Sequence, residues 1–191
     1  GRTLMKLNKR WGMTLAVLLA VSLAPAAWGQ LRIQSGALTD ALRDGIRHPR
    51  KLEELIFRLT NEARCQNGLP DLEPDEALSE VAQNYSDELL KGNFFSHKDL
   101  QGRGPQQRLD EEQPAKQAYT YRVGENIAGF SKLDYSDTKT IARMIMDGWM
   151  TSPGHRQNIL QPLYTHLGVG VSIQGTELRV TQEFARRTAL R

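Results

Sequence analysis

LGVGVSIQGTELRVTQEFA, residues 167–185, is the stretch that decides the class of fold. Leu167 to Ile173 and Leu178 to Phe184 alternate at the two-residue period of a pleated strand, and Gly175 lies between them where the chain reverses. Upstream, VGENIAGF (123–130) also reads as extended. Most of what precedes these segments has a different period. Helices come mostly first and strands mostly later, an order that points to an α+β, three-layer αβα domain and not to a doubly wound sheet.

The helical part begins near Pro49. Leu52, Leu55, Ile56, Leu59 and Ala63 recur at helical spacing until Gly68 and Pro70 stop the run. Pro74-Asp75-Glu76 opens a second helix with acids in its first turn; Leu78, Val81, Ala82, Tyr85, Leu89 and Leu90 carry it to Gly92. A short helix is expected from Pro105 to Glu111, and Asp137 caps a last one through Ile141, Met144, Ile145 and Trp149. Asn84-Tyr85-Ser86 matches a glycosylation acceptor but falls mid-helix, so it is discounted. No internal repeat is visible. The domain is assigned to residues 49–186, with a linker at 30–48 and a tail at 187–191.

The first 29 residues read as a secretory signal peptide. Lys6, Lys9 and Arg10 precede the apolar run MTLAVLLAVSLAPAA, and Ala27-Trp28-Gly29 offers small residues at the cleavage positions. The run is shorter than the roughly 20 apolar residues of a membrane anchor and is broken by Pro25. This predicts a mature chain beginning at Gln30, extracellular or periplasmic, with no membrane anchor. The chain's net charge is +3, and removing Arg2, Lys6, Lys9 and Arg10 leaves −1 for residues 30–191. The remaining basic clusters, Arg43 to Lys51 and Arg186-Arg187, lack interleaved aromatics and read as solvated, so no nucleic-acid partner is expected. The single cysteine, Cys65, excludes an internal disulfide and is expected to be a buried small hydrophobe in its helix.

The chemical inventory is short. Neither His97 nor His155 begins an HExxH, no GxSxG occurs, and Gly168-Val169-Gly170 lacks the third glycine of a dinucleotide fingerprint. Three polar islands remain in apolar settings: FFSHKD (94–99), GENI (124–127) and SPGH (152–155). Two imidazoles and a carboxylate are a donor set for a divalent ion such as zinc, with water completing the shell. They lie 28 and 30 residues apart, so their convergence is a tertiary question that spacing leaves open. The alternative is that each histidine bonds a backbone group and that Glu125 and Asn126 hold a turn. A Ser96–His97 pair is disfavoured, because adjacent side chains of an extended segment point to opposite faces.

Taken in order, LTNEARCQNGLPDLEPDEALSEVAQNYSDEL (59–89), FFSHKD, GENIA, DGWMTSPGHRQNIL, LGVGVS and TQEFA resemble the bacterial branch of the CAP superfamily. That superfamily contains the cysteine-rich secretory, antigen-5 and pathogenesis-related proteins. The resemblance runs from about residue 52 to residue 185. It implies an αβα sandwich with a small antiparallel sheet and a central cleft formed by His97, Glu125 and His155, with Ser152 and Asn126 beside them. His97, His155 and Glu125 would be the metal ligands, and Pro153-Gly154 would end a helix and turn His155 inward. Asn126 and Asn158 would be backbone-bonding supports. Eukaryotic members usually carry an acid three residues after the helix tryptophan. Here Ser152 stands at that place, so the His/His/Glu/Glu tetrad is incomplete.

The function this implies is a secreted binding or interaction module, with an extracellular ligand or protein as partner and a conditional divalent-metal site. One alternative is a metal-assisted hydrolase in which Glu125 is the catalytic base, and another is a lipid or sterol carrier. A single carboxylate cannot readily serve as both ligand and base, which favours the module over the enzyme.

Overall fold

The computed structural model describes residues 49–113, 123–132 and 137–187. The expected signal peptide and linker lie outside the described residues.

Helix α1 (Pro49–Gln66) buries Leu52, Leu55, Ile56, Thr60 and Arg64 along one stripe. Residue 65 lies about 100° around the helix from Arg64, so Cys65 is exposed, against the expectation of burial. A two-residue strand β1 (Glu73–Pro74) follows and leads into α2 (Glu76–Lys91). Asp75 caps α2, its carboxylate accepting from Leu78 N at 3.1 Å. Tyr85 and Ser86 of the discounted glycosylation pattern are buried on this helix, whereas Asn84 is exposed and donates to Glu112 Oε2 at 2.9 Å. Then come α3 (Pro105–Glu112), β2 (Gly124–Phe130), α4 (Thr138–Thr151), α5 (Pro153–Ile159), β3 (His166–Gln174) and β4 (Glu177–Ala185). Asp137 caps α4 through Lys139 N and Thr140 N. On that helix Met146 enters the core, whereas Met144 is exposed.

The strands lie in the order β1-β3-β4-β2. The β3–β4 hairpin turns at Gly175, whose φ of 60° suits a residue without Cβ. β2 pairs antiparallel with β4, but β1 joins β3 in parallel, so the sheet is mixed rather than antiparallel throughout. A pair of residues has no period to read, which is why β1 was not legible in the sequence.

Alternation along each strand divides the molecule into two cores. Leu167, Val169, Val171, Leu178, Val180 and Phe184 belong to the core that also holds residues of α1, α4 and α5, including Ile56, Ile145, Trp149 and Ile159. The other face carries Gly168 and Gly170, against which α2 lies so closely that an added Cβ would fall 2.1–2.2 Å from its backbone. Leu78 and Val81 pack with Leu109 there, and Tyr85 and Leu89 with Ile127. The fold is therefore an αβα sandwich. One brace crosses it: buried Arg64 donates from Nε to Pro70 O and from Nη1 to Ile159 O and Gln161 O, each at 2.9 Å.

Candidate functional site

Strand β2 is an edge of the sheet, and its successive residues point to opposite layers. Glu125 faces the layer of α2 and α3, and Asn126 faces the layer of α1, α4 and α5. Each of the two serves one histidine, which is how residues far apart in sequence meet at this edge.

On the first side, His97 lies in the loop after α2. Its Nδ1 is 2.7 Å from Glu125 Oε1, and its side chain remains 55% exposed while that of Glu125 is 1% exposed. The second oxygen of Glu125 is bound directly by Nη2 of the buried Arg108 from α3. Arg108 Nη1 donates to His97 O at 3.3 Å and Arg103 O at 3.0 Å, and its guanidinium lies 3.4 Å from the centre of the Tyr85 ring. That distance suits a cation–π contact. Tyr85 in turn donates from its hydroxyl to Ser96 O at 2.5 Å, so the loop is held on both sides of its histidine. Burial, and then the nearby Glu125 charge, push the Tyr85 phenol well above its usual range.

Directly across the β2–β4 ladder from Glu125 stands Glu183, fully buried. Its Oε1 is 3.6 Å from Arg108 Nη2, and neither of its oxygens accepts a hydrogen bond. Burial, and then the facing Glu125, raise its carboxyl well above the usual range. One guanidinium cannot neutralise two desolvated carboxylates, so Glu183 keeps its proton, and a protonated carboxyl can donate to Glu125. Glu183 and Arg108 both escaped the sequence reading. Buried charges carry no periodic signature, and Arg108 sits in a polar stretch that reads as surface.

On the second side, α4 ends at Thr151 and Pro153 opens a new short helix. Proline suits the first helical position, where no donor is needed. The SPGH segment thus starts α5 as well as ending α4, and His155 falls in the first turn of α5. Ser152, at the joint, makes no side-chain capping bond. Asn126 Nδ2 donates to His155 O at 3.2 Å and to Gln182 Oε1 at 3.1 Å. Asn158 Nδ2 donates to Glu125 O at 3.0 Å and Asn126 Oδ1 at 2.9 Å. The ring of His155 is 6.5 Å from that of Trp149, whose indole donates to Ile127 O at 3.1 Å. His155 Nδ1 is buried without a partner. Burial, and then the proximity of His97, hold the His155 imidazole below its usual range, so it is neutral at pH 7.

The edge therefore carries two imidazoles, together with a carboxylate whose oxygens are both engaged. Among the described residues, no group of three or more His, Cys, Asp and Glu side chains is placed to hold a metal ion. Glu125 holds the His97 ring through Nδ1, and a carboxylate behind a histidine is an arrangement that fixes the orientation of the ring.

A three-layer αβα sandwich with two histidines meeting at the edge of its sheet defines a class of small domain. The chain belongs to the cysteine-rich secretory protein (CAP) family, whose profile matches residues 57–184. It is 36% identical over 135 residues to the uncharacterized membrane protein YlbC of Bacillus subtilis (strain 168) and 33% identical over 125 residues to YkwD of the same organism. Those matches cover 71% and 65% of this chain but only 34% and 44% of the relatives, so the chain spans less than half of either. Among solved structures, an extracellular protein containing a SCP domain from Bacillus anthracis is 33% identical. It superposes with a TM-score of 0.57 over 72% of this chain and 41% of that one. An outer surface protein from Borrelia burgdorferi, at 19% identity, shares the fold with a TM-score of 0.63 over 73% of this chain and 96% of that one.

Proposed function

We propose that this chain is an exported CAP-domain binding module, cleaved after Gly29, whose recognition surface is the His97 and His155 pair at the open edge of the sheet. The observation that carries this reading is the engagement of Glu125. One of its oxygens holds His97 and the other holds Arg108, and its side chain is only 1% exposed, so the carboxylate is turned toward its two partners and not toward a water molecule that it could deprotonate. Glu183 is sealed from solvent and keeps its own proton, so it does not replace Glu125 as a base. A hydrolase needs a positioned base within reach of its nucleophile. Export is supported by the basic and apolar N-terminal segment and by the extracellular Bacillus anthracis relative. No helix among the described residues is long and apolar enough to cross a membrane.

A divalent ion such as zinc would be held by His97 and His155, with Glu125 orienting the first ring and water filling the remaining positions. The bound ion would supply a positive centre for a ligand's oxygen or nitrogen donor. Two protein donors make a weak site. Because neutral imidazole is the ligand form, affinity should fall as the pH drops from about 7 to 5.

The test is calorimetry of tag-free full chain against zinc, for wild type, His97→Ala and His155→Ala, beside hydrolysis of peptide, ester and glycan panels. Zinc binding lost in either variant, with no zinc-dependent turnover, is the expected result. Equal affinity in all three proteins would remove the shared site. Zinc-dependent hydrolysis that vanishes in a Glu125→Gln protein of unchanged melting temperature would replace the module with an enzyme.

A further inference from the structure

We infer that Arg108 is the positioning residue of this site: acting through Glu125, it fixes His97 in the tautomer with the proton on Nδ1 and the lone pair on Nε2. The functional meaning of the inference rests on the reading of His97 as a recognition residue, but the tautomer itself does not.

The argument is one of donors and acceptors. A guanidinium has five N–H donors in a rigid fork and no acceptor. Arg108 spends one nitrogen on Glu125 Oε2 and the other on the carbonyls of His97 and Arg103. It therefore grips the histidine twice, by its backbone and through the carboxylate behind its ring. Glu125 receives Arg108 on one oxygen and presents the other as an acceptor 2.7 Å from His97 Nδ1. Only an N–H can sit opposite an acceptor at that distance. The remaining ring nitrogen, Nε2, is left as the acceptor of the half-exposed side chain.

Among the described residues, no other cation is placed to take over the role. Arg103 is committed to Asp99 and Glu111. The group facing Glu125 across the ladder is another carboxyl, Glu183. The Tyr85 ring forms the floor beneath the guanidinium, and the fork is buried, so water does not compete for it. Without Arg108, Glu125 loses the contact that aims its Oε1 at the ring, and His97 reverts to the mixture of a free imidazole, in which the proton favours Nε2. The consequence is one of specificity. As built, His97 offers an electron pair outward and selects cations and hydrogen-bond donors. The reversed tautomer would offer a proton and select acceptors.

The experiment is 15N–1H correlation of the histidine rings in metal-free full chain at about pH 8, where an unperturbed imidazole is neutral. The chain has four histidines, and His97→Ala identifies the signal. Wild type should show a single His97 tautomer protonated at Nδ1. Arg108→Met combined with Glu183→Gln, which removes one charge and one buried carboxyl together, should convert it to a mixture dominated by Nε2–H while a cooperative melting transition persists. Should that protein not fold, Arg108→Lys decides. An ammonium carries its donors on one nitrogen and lacks the spread of the fork that reaches Glu125 and two carbonyls from separate nitrogens, so two exchanging His97 tautomers are expected. A wild-type His97 protonated at Nε2 would overturn the inference, as would an unchanged Nδ1–H tautomer in whichever Arg108 variant folds. Because no zinc or other ligand is added, failure of zinc binding and failure of the tautomer assignment are separate results.

Discussion

Replacing Gly168 by alanine tests the layer that carries Tyr85 and, through it, the Arg108 fork. A Cβ built there lies 2.1 Å from Leu78 C, 2.2 Å from Ser79 N and 2.5 Å from Leu78 O. Carbon contacts settle near 3.5 Å, so α2 must withdraw from β3 by more than about 1 Å. The obstacle is helix backbone and has no rotamer to change. Overpacking typically costs about 1–3 kcal/mol, and a rigid obstacle places Gly168→Ala near the top of that range. At roughly 2–4 °C per kcal/mol for a chain of this size, about 3 kcal/mol lowers the melting temperature by roughly 6–12 °C. Calorimetric or circular-dichroism melting, with urea unfolding to obtain the free energy, is the assay. Gly148→Ala is the internal control, because Gly148 lies in α4 with nothing within 4 Å of its added Cβ. It should gain about 0.5–1 kcal/mol from helix propensity alone. A Gly168→Ala protein that melts with wild type would refute the close packing of α2 on β3.

Glu183→Gln should flatten the dependence of stability on pH. The wild-type carboxyl is raised, so its contribution is full below the ordinary value of 4.5 and is lost as pH climbs toward the raised one, at about 1.4 kcal/mol per unit. Melting curves of the two proteins from about pH 5 to pH 8 should converge or cross in favour of the variant; parallel curves would mean that Glu183 is ionised in the fold. Trp149→Phe leaves Ile127 O without its indole donor and should cost about 2–3 kcal/mol by urea unfolding, with no loss if that carbonyl is solvated. Asn61→Ala removes two bonds that tie α1 to Leu72, one from Nδ2 to its O and one to Oδ1 from its N. A loss of about 2 kcal/mol is expected, and a change below about 0.5 kcal/mol would show that the tie carries no net energy.

Much of the fold was legible because burial imposed a period. The hairpin at 167–185 showed its alternation and its turn glycine, and Asp137 announced the start of α4. What alternation could not show is that both faces of the sheet are covered. Arg179, Thr181 and Glu183 share one face of β4 and read as a solvated side, yet α2 lies over that face and all three are buried. Thr181 bonds Ser86 of α2 at 2.9 Å. Hence the second carboxyl, sought near Ser152, was overlooked on the opposite strand. His97, Glu125 and His155 could be named from their motifs, whereas the division of Glu125 and Asn126 between the two layers follows from the β2–β4 register, which single-strand patterns do not fix.

Arg64 also has a consequence for how the protein opens. Its guanidinium links α1 to the last carbonyl of α5, at Ile159, and to one just beyond it, at Gln161, so the end of the helix bearing His155 cannot fray without disturbing α1. The loop bearing His97 is pinned instead to α2 and α3, through Tyr85 and Arg108. The two imidazoles are therefore anchored to different helices, His155 to α1 and His97 to α2 and α3. In native-state hydrogen exchange, the amides of residues 156–160 should open together with those of α1, and those around His97 should follow a separate isotherm.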